Sequence, residues 1–425
     1  MRVLLGLFAL FFSLIISADR VPDGCKSAWT AHLNSSDSPR GIGVNIHFTD
    51  AQPGEMKMIA DAGFRWVRMD FKWDLTEPER GRYDFSPYDR LMKELDSHGI
   101  RALFILDYGN PHYTVDKAVR TEEARQAFAR WAVAAAKHFQ GRGIIWEMFN
   151  EPNVPMFWPP KPNADEYIAL ALIVGRSFRA AVPNEKLIGP ATSGLDFDFI
   201  EACFKAGLLE YWSAVSVHPY RQGNPEIAAA EYCLLREMIE QYRPRSRTAS
   251  IPIISGEWGY SAVWRGMTEE KQARVLAREL LTNVANGIPL SIWYDWQDDG
   301  ADASEPEHHF GLVRHAYRAG RTPVYEPKPA YHAAKAFNDF FSGYVFEKRL
   351  TIGSDEDFVL VFSNGRDRRI AAWTTSSRVQ RIEVPLGNGT FVMRKHTGEN
   401  VRTVIATNSS ATVEISSAPI YLIQQ

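Results

Sequence analysis

From residue 41 to residue 341 the chain alternates about eight times between a short apolar run rich in β-branched and aromatic residues and a longer segment of helical period. The runs are GIGVNIHF (41–48), FRWVRMDF (64–71), IRALFILDYG (100–109), IIWEMFNEPN (144–153), KLIGPATSG (186–194), AVSVHPY (214–220), IPIISGEWGYS (251–261) and LSIWYDWQDD (290–299). Near-continuous apolarity is what a strand buried on both faces requires, so the strands are expected to be parallel and covered by helices. Between them lie helical segments such as EEARQAFARWAVAAAKHFQG and EEKQARVLARELLTNVANG, several of which close on Gly, the residue that ends helices best. A count of eight favours a closed (β/α)8 barrel, a TIM barrel in the α/β class, over an open doubly wound sheet.

The texture changes near residue 344, where stretches such as DFVLVFSNG, RIAAWTTSS and GTFVMRKHTG alternate apolar and polar residues and are broken by Gly, Asn and Ser. That is the pattern of a small antiparallel β-domain. The other end, MRVLLGLFALFFSLIISA, sets one Arg before an apolar run too short for a bilayer span and closes on small residues, as a secretory signal peptide does. The expected organisation is a signal peptide at 1–18, a lead segment at 19–40, a barrel at 41–343 and a β-sandwich-like domain at 344–425, in a protein that is secreted or periplasmic. With 48 basic and 51 acidic residues in 425 and no charge block, nothing suggests an electrostatic grip on nucleic acid or, once the signal is cleaved, on a membrane. The 12 Trp and 16 Tyr suit a cleft that stacks on sugar rings, although much of that count serves packing. Three cysteines, Cys25, Cys203 and Cys233, allow at most one internal bridge.

Barrels of this kind carry their chemistry where strands end and loops begin. Strand four ends in Asn150-Glu151-Pro152-Asn153 and strand seven in Gly256-Glu257-Trp258-Gly259, so each brings a carboxylate to the rim. The 106 residues between the two glutamates amount to three βα units of about 35 residues, in agreement with the strand count. Two facing carboxyl groups, one protonated and one ionised, are what retentive cleavage of a glycosidic bond needs.

WEMFNEPN resembles the acid/base signature, and ISGEWGYS the nucleophile segment, of the retaining glycoside hydrolases of clan A. NIHF, GFRWVRMDFKWDLTEPERGRYDF and LDYGNPHY are most similar to family 39 and then to the family 5 cellulases, over residues 41–341 and weakly beyond. The resemblance implies Glu151 as general acid/base, Glu257 as nucleophile and Asn150 as the partner of the sugar 2-hydroxyl. It implies Tyr220 as a donor to the nucleophile, His218 as a strand-six histidine near the site, and Arg68 beneath the nucleophile. Glu147 is a scaffold carboxylate that competes for Arg68. By the same resemblance a strand-eight tryptophan floors the sugar, Trp296 first and Trp293 second, while Trp158, Trp258, Tyr108, His112 and Tyr113 are rim candidates. No metal and no cofactor is expected, because no H-x-H, H-E-x-x-H or C-x-x-C occurs. The expected partner is a carbohydrate, as oligosaccharide or polysaccharide. A transglycosylase on the same residues and a non-catalytic carbohydrate-binding protein are the competing readings.

Overall fold

A computed structural model describes residues 41–425, so the signal segment, the lead segment and Cys25 lie outside the described residues. Eight parallel strands close into a barrel: β1 (Gly41–Asn45), β2 (Trp66–Lys72), β3 (Arg101–Asp107), β4 (Ile145–Met148), β5 (Lys186–Ser193), β6 (Ala214–His218), β7 (Ile253–Trp258) and β8 (Leu290–Trp293). The seam forms where β1 pairs with β8, Gly43 opposite Ile292. A helix of seven or more residues follows every strand, ending with Pro329–Phe341 after β8. Four of these helices start at a side-chain cap: Thr121, Asn163, Asp196 and Thr268 each accept a hydrogen bond from the backbone N–H three residues on. In Glu122–His138 the buried stripe of Ala124, Ala127, Phe128, Trp131 and Ala135 recurs at helical spacing and faces the barrel wall. The expected fold class is the one observed.

The barrel interior is built in layers, because every second side chain of a strand points inward. At the bottom, Trp66, Leu103, Ile105, Ile145, Ile188, Ala214, Ile254, Leu290 and Ile292 form a separate apolar plug. Trp66 fills this plug so fully that a Cβ on Gly43 would lie 2.4 Å from Ile292 and 2.8 Å from the Trp66 Cβ. Two residues further along the same strands the interior turns polar: Asn45, Arg68, Glu147 and Ser216 form the next layer, all buried. The plug seals one end, so the functional mouth has a solid floor.

From Val345 to Gln424 eight antiparallel strands form a six-stranded sheet and a two-stranded ribbon, Gln380–Val384 with Ala411–Ile415. The alternation read in the sequence divides the sheet between two cores. Phe346, Phe358, Leu360, Phe362, Ala371, Trp373 and Tyr421 join the core of the barrel, whereas Val359, Val361, Ile370, Ala372 and Leu422 pack with the ribbon. A polar clasp crosses the junction: Trp373 Nε1 donates to Glu226 at 2.6 Å, and Arg278 grips both oxygens of Glu226 at 2.7 Å. Cys233 is disulfide-bonded and Cys203 is free and buried.

Gly43→Ala is expected to cost about 1–3 kcal/mol, the usual penalty of overpacking a filled interior. Thermal unfolding checks this, and a Tm equal to wild type would show that the plug has slack.

Candidate active site

The mouth of the barrel is organised by Arg68 on β2, whose side chain is 1% exposed. Each of its five N–H groups has an acceptor. Nε donates to Glu147 at 2.7 Å, Nη1 to Asn45 at 3.1 Å and to Glu257, and Nη2 to Asn150 at 2.7 Å and to His218 Nε2 at 3.2 Å. Ser216 caps the other oxygen of Glu147. A buried guanidinium with two carboxylates and a full set of acceptors holds its proton more firmly than usual despite burial, chiefly through the charges of Glu147 and Glu257. Glu147 is thus a scaffold group below the mouth, and Gly256 has to be glycine because a Cβ there would meet Ser216 at 2.2 Å and Glu147 at 2.8 Å.

Glu151 keeps the inward parity of Ile145 and Glu147 but lies beyond the end of the strand, and Glu257 breaks the alternation of β7. On β4 the inward positions are Ile145 and Glu147; past Met148 the backbone turns left-handed at Phe149 (φ 68°) and Glu151 (φ 44°), where side chains are rarely found. That turn, held by Glu151 N–H to Ala191 O at 2.9 Å, brings Glu151 inward. Asn153 fixes the following loop, accepting from Ser193 N–H at 2.9 Å and donating to Ser193 O at 3.0 Å. On β7, Ile254 and Gly256 face inward, and a register shift between Ser255 and Trp258 lets the next residue, Glu257, face inward too. The expected strand-four segment therefore ends earlier, at Met148, and the glutamate sits beyond it.

The two carboxyl groups end in opposite surroundings. One oxygen of each and a ring nitrogen of His218 lie within 4.8 Å of one another. Glu257 is ion-paired with Arg68 and accepts from Tyr220 Oη at 2.7 Å. Glu151 is 8% exposed, and burial pushes its carboxyl up to about 7 against the pull of Arg68 and a hydrogen bond from Ser193. Glu147 adds to the rise. Burial also drives His218 down to about 4, so it is neutral, and its partners define the tautomer: Nε2 accepts from Arg68 and Nδ1–H donates to Glu151 at 3.0 Å. Asn150, with its carbonyl oxygen taken by Arg68, has its amide N–H groups free to donate. Glu151, His218 and Glu257 have the spacing of a metal site, but the Arg68 charge in contact with two of them disfavours a cation there.

The structure thus brings together Arg68, Asn150, Glu151, His218, Tyr220 and Glu257. The tryptophans expected at the rim lie elsewhere. Trp296 is 1% exposed, donates to Glu55 at 2.9 Å and packs on Tyr325 and Tyr331, while Trp293 is buried beside Tyr260. Trp258 is fully buried under Arg221, because the shift that turns Glu257 inward turns its neighbour outward. Trp158 is fully buried between Phe149 and Tyr167 and donates to Glu166. Tyr108 is half-buried and stacks on Phe157 with ring centroids 5.5 Å apart. His112 binds the Pro78 carbonyl, and Tyr113 stacks on Trp73 and donates to Glu77.

Several mouth residues went unread in the sequence. Tyr294, two residues beyond inward Ile292, is half-buried, edges against His47 and Phe310 and donates to Glu307 at 3.3 Å. His47, two residues beyond Asn45, sits 3.3 Å from Asp295 and is raised to about 9, the pull of Asp295 overcoming burial. Counting by twos along β1 and β8 would have found both.

The chain was compared with known proteins. A β-galactosidase family model matches residues 49–110, which span β2 and β3 but neither glutamate. A β-galactosidase of Halorubrum lacusprofundi is 34% identical over 91 residues, 19% of this chain and 13% of that protein, so the match spans a small part of its relative. A family 39 glycoside hydrolase from the gut symbiont Bacteroides cellulosilyticus superposes with a TM-score of 0.78 at 24% identity, over 91% of this chain and 81% of the other. The fold is that of the family 39 glycoside hydrolases. A monomeric β-xylosidase of Caulobacter crescentus shares it at a TM-score of 0.64 and 15% identity, covering 90% of this chain and 95% of that one. A family 30 endoxylanase of Clostridium papyrosolvens follows at 0.65 and 12%, with 91% and 96% covered. The family 39 fold, barrel and β-domain together, agrees with the resemblance carried by NIHF, GFRWVRMDFKWDLTEPERGRYDF and LDYGNPHY.

Because Glu151 is buried and its carboxyl is raised, ionising it costs the fold stability. Its raised group contributes stability that is complete below about 4.5, its ordinary value, and is lost as pH climbs through about 7. Glu151→Gln is therefore expected to raise Tm at pH 8 and to have no such advantage at pH 4; an equal gain at both would refute the assignment of the raised group.

Proposed function

We propose that this protein is an exported retaining β-glycoside hydrolase acting on an oligosaccharide or polysaccharide, with Glu257 as nucleophile and Glu151 as acid/base. The observation that carries the reading is the pair itself: two carboxyl groups with oxygens within 4.8 Å, one ion-paired and the other kept protonated by burial. Retaining enzymes hold their carboxyl groups about 5–5.5 Å apart, whereas inverting ones need roughly 6.5–9.5 Å to admit a water. The fold and the β-galactosidase match point to the same class of reaction. Export rests on residues 1–18; among the described residues no helix is long and apolar enough to cross a membrane.

In the first step Glu257 attacks the anomeric carbon while Glu151 gives its proton to the leaving oxygen. Arg68 and Tyr220 hold Glu257 aimed at the anomeric carbon, and the free amide of Asn150 is placed to bind the 2-hydroxyl, a contact that tightens as the ring flattens. In the second step Glu151 must take a proton from water. Esterification of Glu257 removes one of the two carboxylates that balance Arg68, so the positive charge felt by Glu151 grows and its carboxyl becomes easier to ionise. The acid thereby turns into the base, and Arg68 links the two steps.

Galactosides and xylosides head the substrate panel, as the relatives named above suggest. On the best aryl glycoside, kcat/KM is expected to fall as pH rises through about 7, because only protonated Glu151 can assist departure. Product anomers followed by NMR should keep the configuration of the substrate. Glu257→Ala should abolish turnover and regain it with azide, as the inverted glycosyl azide. Release of the inverted sugar by wild type would refute the retaining mechanism.

A further inference from the structure

The mechanism leaves one pair of carboxyl groups in the mouth unused. Asp70 on β2 lies on the inward-facing register of Trp66 and Arg68, and Asp107 on β3 on that of Leu103 and Ile105. Asp107 is 0% exposed, and neither of its oxygens finds an N–H or O–H donor among the described residues. Asp70, two register positions away on the neighbouring strand and on the same inward face, is the carboxyl beside it, and burial together with that neighbour pushes Asp107 well above the usual carboxylate range. Two carboxyl groups side by side repel when both are ionised, which favours a proton on the buried one. The buried partner, with no cation in contact, is the one that keeps it, since desolvation penalises its charge most.

Asp70 is the accessible member of the pair. Its side chain is 27% exposed, Lys72 Nζ stands 3.7 Å away, and its charge is felt by Arg68 and by His47. It therefore sits at the mouth beside the catalytic layer, braced from behind by Asp107. A protonated Asp107 beside it can donate to Asp70, whose exposed oxygens remain able to accept from a hydroxyl. An acceptor so placed at the edge of a sugar site binds hydroxyl groups.

We propose that Asp70 is a specificity-determining residue that accepts a hydrogen bond from a hydroxyl of the bound sugar, with Asp107 as its positioning residue, so that the sugar carries a hydroxyl on the edge facing β2 and β3. This rests on the glycosidase reading and deepens it to a substrate class. A site that satisfies a substrate hydroxyl discriminates sharply against an analogue lacking it, because the acceptor is then left unpaired.

The test uses the full-length protein, the neutral aryl β-glycoside that wild type hydrolyses best, and the monodeoxy analogues of that glycoside. Asp70→Ala is expected to lower kcat/KM on the parent about 10- to 100-fold, the range of a hydrogen bond to a charged group. On one deoxy analogue, the one lacking the hydroxyl that Asp70 binds, Asp70→Ala should match wild type. Asp107→Ala should show the same selective loss, because Asp70 then swings free; a merely structural role would lower every substrate alike. Equal loss on the parent and on all analogues, or no loss at all, overturns the inference and leaves the glycosidase reading intact. Absence of wild-type turnover across the whole panel overturns the glycosidase reading and this inference with it.

Discussion

The guanidinium of Arg68 is the interaction on which the rest of the site depends. A charge at 1% exposure is costly to bury, and here the cost is offset by two carboxylates and three further acceptors that together take all five N–H groups. The acceptors come from β1, β4, β6 and β7 and from the turn after β4, so a single planar group sets the relative positions of five segments. Breaking such a buried pair costs about 3–5 kcal/mol, and a lysine, with one compact ammonium, cannot reproduce the fork. The same group that joins the strands also separates the roles of the two glutamates, by pairing with one and leaving the other to burial.

That division also explains what keeps Glu151 protonated. The charge of Glu257 is already balanced by Arg68 and bound by Tyr220. Burial supplies the shift instead, with Glu147 contributing. His218 completes the arrangement: being neutral, it passes a hydrogen bond from Arg68 to Glu151 without adding charge.

Much of this was legible in the residues. Seven of the eight strands fall within the segments read from apolar runs and β2 passes its run by one residue, Lys72, while the two carboxylates stand where the βα period places the ends of strands four and seven. The tryptophans were misplaced for a physical reason. An indole near a strand end is equally at home in a sugar site or packed under a helix, and only its parity along the strand distinguishes the two. Trp293, next to inward Ile292, faces outward, and Tyr294 takes the inward place. Parity fails in turn at Glu257, where a register shift rotates the chain, and at Asn150, which reaches Arg68 from between the left-handed residues Phe149 and Glu151, and nothing in composition announces such turns. Asp70 and Asp107 escaped notice because their proximity spans two strands and has no sequence signature.

The β-domain shares a core with the barrel and reaches Glu226, in the loop that leaves β6 just beyond Tyr220, through Trp373. It is part of the same folded unit as the catalytic mouth. The central claim, that Glu257 becomes covalently bonded to sugar, is tested most directly by trapping. Incubation with a 2-deoxy-2-fluoro glycoside bearing a good leaving group, followed by mass spectrometry of the intact protein and its peptides, should show one added glycosyl unit on Glu257. A label on Glu151 or Glu147, or an unlabelled protein that still turns over the parent glycoside, would contradict the account.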